Sequence, residues 1–219
     1  MHHSKNFSIV INNRDLVTWP RAMATSFEKM IGVQEIIIVD NNSSYEPLLQ
    51  WYSETKYKIV RLGKNVGHTA PWVPEVKEHI KTDFYAVSDP DLCLKNLPAD
   101  TLVHLAMILV CNPALEKIGV SLDLPEKMGV SYCWEKSYSR FPVLNGLYRE
   151  AFIDTTLAIY HKRVLNEYKV CGARAIRPYT ARHLPWVKDA REAISDEYRY
   201  YLQNASMSSS EKRIRSLEV

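Results

Sequence analysis

Phe84-Tyr85-Ala86-Val87-Ser88-Asp89-Pro90-Asp91-Leu92 is a short apolar run that stops abruptly at two carboxylates one residue apart. Phe84, Tyr85 and Val87 favour a buried strand, and Pro90, which cannot donate to a ladder, marks where pairing ends. Asp89 and Asp91 then fall in the crevice beyond the strand's carboxyl end, where open α/β sheets bind their ligands. Two hard oxygen donors there can hold a Mg²⁺ or Mn²⁺ ion that also grips a diphosphate. An isolated Asp-x-Asp is more often a turn bearing two solvated acids, so the flanking sequence has to decide.

Upstream, the same unit occurs three times. Phe7–Ile11 is a strand that breaks into Asn12-Asn13-Arg14-Asp15; Thr18 can cap the helix that follows, with Trp19, Met23, Phe27 and Met30 near helical spacing before Gly32. Glu35–Val39 is a β-branched strand ending in Asp40-Asn41-Asn42-Ser43-Ser44, and Pro47 opens the next helix. Tyr57–Leu62 is a third strand, ending in Gly63-Lys64-Asn65-Val66-Gly67-His68, followed by a helical stretch around Val73–Ile80. Strand–helix alternation predicts a mainly parallel sheet with right-handed crossovers, which gathers all four polar loops on one edge. Neither G-x-G-x-x-G nor G-x-x-x-x-G-K-[ST] occurs, so a phosphate bound here would need a metal in place of a glycine cradle.

Downstream, a helix from Pro98 carries Leu102, Leu105, Ala106 and Leu109, and Lys117–Leu122 reads as a fifth strand. Asp123–Pro142 has no period and reads as a long loop with Tyr132, Trp134 and Tyr138. Phe152–Tyr160 returns to strand composition with a lone acid, Asp154. Arg174, Arg177, Arg182 and His183 surround two prolines, a helix starts at Ser195, and the stretch from Ser206 is a polar tail.

The chain has 219 residues, enough for one domain with a full hydrophobic core. Residues 136–219 hold 15 Lys and Arg against 9 Asp and Glu, and residues 1–135 hold 13 against 16. That asymmetry suits an anionic ligand met from one side, or merely a solvated basic helix. Cys93, Cys111, Cys133 and Cys171 form no C-x-x-C pair and are read as reduced thiols. The residues before Phe7–Ile11 predict no secretory leader, and the apolar run Leu102–Cys111 is far below the roughly 20 residues that cross a bilayer. A cytoplasmic protein with at most peripheral contact at the inner membrane face is expected.

The order strand–Asn/Arg loop, strand–Val39-Asp40-Asn41-Asn42-Ser43, strand–Asn65-Val66-Gly67, strand–Asp89-Pro90-Asp91 resembles the nucleotide-sugar-binding half of GT-A glycosyltransferases, especially family 2. Asn41–Tyr45, Gly67–Trp72, Asp154–Tyr160 and Ala181–Trp186 are similar to segments of small bacterial family-2-like transferases, and more loosely to a viral capsid glycosyltransferase domain. The resemblance runs from Phe7 to Ser208. It implies one GT-A domain over residues 1–205, with a nucleotide-binding part to residue 97, an acceptor part from 98, and a tail over 206–219. It further implies transfer, with inversion, from a nucleotide-diphosphate sugar, UDP-linked by expectation, to a glycan, lipid-linked glycan or polysaccharide.

By the resemblance Asp40 receives the base, Asn12, Arg14 and Asn65 line the nucleoside pocket, Asp89 faces ribose and metal, and Asp91 binds the Mn²⁺ or Mg²⁺. Where many family-2 enzymes have Val-Asp-Asp-Gly-Ser this chain has Val39-Asp40-Asn41-Asn42-Ser43, and it lacks a Glu-Asp base motif. Asp154 is the candidate general base, because an acid in an apolar strand is costly unless paired or functional; a cap or a partner for an arginine is the plainer reading. His183 can be a third metal ligand or a histidine packed beside Trp186, and Arg182 can clamp a diphosphate. Gly67 and His68 can touch the donor or simply close their loop. Trp72 and Trp134 can stack on sugars or belong to the core. Two other functions compete. Nucleotidyl transfer onto a sugar phosphate needs a basic, glycine-rich loop that Asn12–Asp15 does not supply. A basic binding module would rest on the charge asymmetry alone, and without stacking aromatics in an RNA motif no nucleic-acid partner is expected.

Overall fold

The computed structural model describes residues 6–123, 141–153, 156–165 and 172–204. Asp154, Trp134, most of the long loop and the tail lie outside the described residues.

Strand β1 (Phe7–Asn13) is buried along nearly its whole length, as a strand covered on both faces must be. It pairs in parallel with β2 (Val33–Asp40) on one side and β4 (Phe84–Ser88) on the other, and β3 (Lys58–Arg61) extends the row beyond β2. Ile9, Ile11, Ile36 and Ile38 face one core, against Met23 and Phe27 of α1 (Thr18–Phe27), Leu48 and Trp51 of α2 (Glu46–Glu54), and Leu102, Leu105 and Leu109 of α4 (Thr101–Cys111). Val10, Ile37, Val39 and Val87 face the other, against Trp72, Ile80 and Val76 of the single-turn α3 (Pro74–Lys77). The sheet is thus sandwiched, and the parallel register brings the ends of β1, β2 and β4 out together: Asn13 pairs with Asp40, and Ile11 with Ser88.

Beyond β4 the sheet becomes mixed. Its strand order is β3-β2-β1-β4-β9-β6-β10-β8, where β9 (Ala158–His161) lies antiparallel between β4 and β6 (Lys117–Gly119), β10 (Gly172–Ala175) is parallel to β6, and β8 (Tyr148–Glu150) closes the edge antiparallel to β10. A small second sheet has the order β5-β11-β7, from Leu92–Cys93, Thr180–His183 and Ser121–Asp123. Two further helices follow, α5 (Lys188–Glu192) and α6 (Ser195–Asn204).

Several local expectations change. Lys117–Leu122 is two strands in two sheets: the Val120 N–H bonds the Leu157 carbonyl at 3.1 Å, one step beyond the β6–β9 register, and the Ser121 N–H then turns to the Tyr179 carbonyl at 3.0 Å beside β11. Gly119 permits this approach: a Cβ there would meet Leu157 O and Ile153 Cδ1, each at 2.9 Å. The helix expected over Val73–Ile80 is reduced to one turn after a 3₁₀ segment, Gly67–Trp72, since Pro71 and Pro74 lack donors. The helix expected from Pro98 starts at Thr101, whose N–H and hydroxyl both bond the Pro98 carbonyl. Thr18 is the first residue of α1 and no cap; its role there is taken by Glu197. Of the apolar stretch Phe152–Tyr160, the strand begins only at Ala158, and Phe152 is exposed.

Candidate active site

The loops after β1, β2 and β3 are tied to one another by side chains. Asp15, fully buried and at φ 51°, accepts the N–H groups of Ser44 (2.7 Å) and Tyr45 (3.0 Å) at the start of α2 through Oδ1. Its own N–H is returned to Ser43 Oγ at 3.0 Å. An aspartate tolerates this left-handed backbone better than most residues. Asn41 joins the second loop to the third, accepting Val66 N–H at 2.8 Å and donating to the Gly67 carbonyl at 2.9 Å. Asn12 donates to the same carbonyl at 3.4 Å, and Asn65 accepts the Gly67 N–H at 2.9 Å. Gly67 has φ 68°, which its missing side chain makes inexpensive. Asn65 and Gly67 therefore build the loop, while His68 is exposed on it.

Asp40 belongs to the same scaffold. It is 1% exposed, Oδ1 takes the Ser43 N–H at 3.0 Å, and Oδ2 pairs with Arg61 Nε at 3.0 Å. Each carboxylate oxygen thus has one partner within the protein, which gives Asp40 a part in building the loop. Beside it the Tyr52 phenol accepts from Asn13 Nδ2 at 2.9 Å; burial, and then the negative charge of Asp40, push its pKa far above the ordinary 10 and keep it neutral.

Asp91 is reached from a different direction. β11 pairs with β5 so that His183 lies opposite Leu92 and Arg182 opposite Cys93, and the Leu184 N–H bonds the Asp91 carbonyl at 2.9 Å. This sets His183 Nε2 3.5 Å from Asp91 Oδ2, with the imidazole tilted against Trp186 at 4.5 Å between centroids. His183 is thus packed beside Trp186, as one of its two readings has it, and also lies within reach of Asp91. Strand alternation turns Arg182, which is exposed, away from the face His183 uses. Asp89 is half-buried one strand over, at the rank of Asn12. Among the described residues no group of three His, Cys, Asp or Glu could hold a metal, so Asp89 does not complete a triad with Asp91 and His183.

Unsatisfied polar atoms concentrate at this edge. Asn12 Oδ1, Asn13 Oδ1, Asp91 Oδ1 and His183 Nδ1 are buried without a hydrogen-bond partner among the described residues, and Arg14 Nε faces Asp15 Oδ2 at 3.5 Å in an ion pair that is too long for a good hydrogen bond. Buried polar groups normally find partners, and such a cluster marks where a ligand would supply them. Trp72, by contrast, is core: its indole N–H donates to Tyr85 OH at 3.0 Å and its ring meets Tyr160 edge-on. Around β6 and β10, Lys117 is fully buried with Nζ 2.6 Å from the Ile153 carbonyl, and Arg174 Nε donates to the Phe152 carbonyl at 3.3 Å. A groove of about 580 Å³ between α1 and α2, lined by Arg21, Gln50, Trp51 and Tyr57, holds none of the expected site residues.

Sequence reasoning noticed the Asn12–Asp15 cluster but missed the bridging roles of Asp15 and Asn41, for which the Asn/Asp turn chemistry was the available signal. It also missed Glu197, for which an acid next to Asp196 in the first turn of a polar helix gives none.

The sequence matches no protein-family model and no curated protein. Solved structures share the fold. CMP:2-keto-3-deoxy-manno-octonic acid synthetase complexed with CTP superposes with a TM-score of 0.54 at 12% identity, over 91% of this chain and all of that one. A mycobacterial protein does so with 0.56 at 11% identity, over 82% of this chain and 67% of that chain. S. aureus TarS does so with 0.53 at 13% identity, over 94% of this chain but only 41% of that chain, and TarS 1–349 in complex with UDP with 0.50 at 14%, over 94% and 68%. The chain therefore has the expected GT-A, nucleotide-diphospho-sugar transferase fold.

Proposed function

We propose that this chain is a glycosyltransferase that moves a sugar from a nucleoside-diphosphate sugar, with a uridine donor expected, to a hydroxyl of a glycan acceptor. The observation that carries the reading is the Asp91–His183 pair, each with an orphaned buried atom, on the sheet edge where Asn12 and Asn13 also carry unsatisfied acceptors. The likeness to structures bound to UDP and CTP supports a nucleotide at that edge.

A divalent cation fits a carboxylate–imidazole pair if the donor's own diphosphate oxygens and water complete its shell, as is usual for Mg²⁺ and Mn²⁺. Asp91 and His183 would hold it, with Asp89 nearby, and when bound it would neutralise charge developing on the departing diphosphate. Asn12 Oδ1 and Asn13 Oδ1 can accept from nucleoside N–H or hydroxyl groups, and the Arg14 guanidinium can pair with a phosphate. We assign the acceptor-side base to Asp154 on its sequence alone. Its carboxylate takes the proton of the acceptor hydroxyl as that oxygen bonds to the anomeric carbon, and the bond from that carbon to the diphosphate oxygen breaks with its electron pair on the leaving nucleoside diphosphate.

Calorimetric titration with UDP, with and without Mn²⁺, tests the reading: Mn²⁺-dependent binding is expected, and absence of binding under both conditions overturns it. Nucleotidyl transfer is the second reading, favoured by the full-length overlap with the CTP-bound synthetase. Against it, the N-terminus of α1, where a phosphate would naturally sit, is filled by Glu197. Binding of CTP in preference to every nucleoside diphosphate would reverse the ranking.

A further inference from the structure

Helix α6 lies across the two loops that flank Asp15, and it touches both from one face. Glu197, 6% exposed, accepts the Val17 N–H at 2.9 Å and the Thr18 N–H at 3.0 Å through Oε1, and the Thr18 hydroxyl at 2.7 Å through Oε2, across 180 and 179 positions of chain. It thereby caps α1 from a distance, satisfying donors that Val17 has no side chain to serve. Three residues on, Tyr200 shares a hydrogen bond with Ser44 at 3.0 Å and packs its ring on Tyr45 at 4.9 Å. Positions i and i+3 share a helix face, so Glu197 holds the first loop and Tyr200 the second. Tyr198, with Ile194, seats the helix on Leu16 and Trp19.

Between these two grips lies the Asp15 bridge, whose carboxylate ties the loops together and whose left-handed backbone persists only if its surroundings hold it. We propose that α6 is a strap that sets the donor-binding loops, and that Glu197 and Tyr200 are positioning residues for the nucleotide donor. The proposal rests on the functional reading above. A donor that contacts Asn12–Arg14 needs that loop ordered beforehand, and without the strap the ordering cost is subtracted from binding. Glu197 and Tyr200 bond the donor loops and not Asp91 or His183, while Leu184, beside His183, packs with Ile194 and Tyr198, so the effect of these two side chains falls on donor affinity and not on turnover at saturation.

The test uses the full chain and three variants. Glu197→Ala should lower amide-exchange protection over residues 14–18 and 43–46, weaken UDP binding in Mn²⁺ by about tenfold, the scale of one charge-assisted hydrogen bond, and raise donor KM while kcat stays within about twofold. Glu197→Gln keeps an acceptor for both N–H groups and should recover most of the affinity. Tyr200→Phe, which removes only the Ser44 bond, should weaken UDP by about threefold and serves if Glu197→Ala does not fold. Wild-type affinity in both Glu197→Ala and Tyr200→Phe, or loops that stay protected in both, overturns the strap while leaving the donor reading intact. Wild-type protein that binds no nucleoside diphosphate overturns the donor reading, and the proposal with it.

Discussion

Asp91 and His183 are 92 residues apart in sequence and 3.5 Å apart in space, and each brings one buried atom that nothing among the described residues satisfies. If they share a cation with the donor, Asp91→Ala should abolish the Mn²⁺ enhancement of UDP binding and His183→Ala should weaken it; titrations in which Mn²⁺ still strengthens binding to Asp91→Ala would refute the pairing. Asp40 makes the opposite prediction. With its oxygens committed to Ser43 and Arg61, Asp40→Asn should leave UDP affinity within about twofold and cost roughly 1 kcal/mol in urea unfolding, because Arg61 is exposed and its ion pair is screened. A large loss of UDP affinity without loss of stability would return Asp40 to the base pocket. Both residues stand in strand-end acid motifs of similar appearance, and only their neighbours separate them.

At the scale of elements, the turning point is Gly119, where one extended stretch parts into β6 and β7 so that β9 can enter the sheet. Gly119→Ala should destabilise by about 1–3 kcal/mol in denaturant unfolding, since the new methyl meets a backbone carbonyl at 2.9 Å. Gly172→Ala on the neighbouring strand should cost less, because its Cβ meets the Lys117 side chain at 3.0 Å and not backbone. Equal costs would show that Lys117, clamped to the Ile153 carbonyl, is as rigid as the main chain. The first two strand–loop–helix units, and the third strand with its loop, were legible in the sequence because each strand is an apolar run and each loop a polar turn cluster, both local signals, whereas the third helix was cut short around Pro71 and Pro74. The split after Gly119 was not legible, since it depends on the Tyr179 carbonyl, which takes the Ser121 N–H across 58 positions of chain.

Across the whole molecule, stability should fall on acidification. Burial holds the imidazoles of His104, stacked on Tyr179 at 3.9 Å, and of His161 below their ordinary pKa of 6.5; for His161 the Arg163 charge adds to the effect. The unfolded chain then binds more protons than the folded one between the lowered and ordinary values, so unfolding free energy is full above pH 6.5 and is lost as pH drops through that interval. Melting temperatures should decline from pH 7 to pH 5, and the double variant His104→Gln, His161→Gln should flatten the decline; an unchanged slope would exclude these two groups. No helix among the described residues is long and apolar enough to cross a membrane, in keeping with the short apolar runs of the sequence. By itself, the sequence determined the parallel β1–β4 core, the single edge on which its loops gather, and the position of Asp91 on that edge, because hydrophobic period and turn chemistry act over a few residues. Only the tertiary structure decided that β9 reverses the sheet, that β11 delivers His183 to Asp91, that Asp40 bonds Ser43 and Arg61, and that Glu197 caps α1. Each of these is a choice of partner across tens of residues or more, where local preference is silent and only the packed chain selects which groups meet.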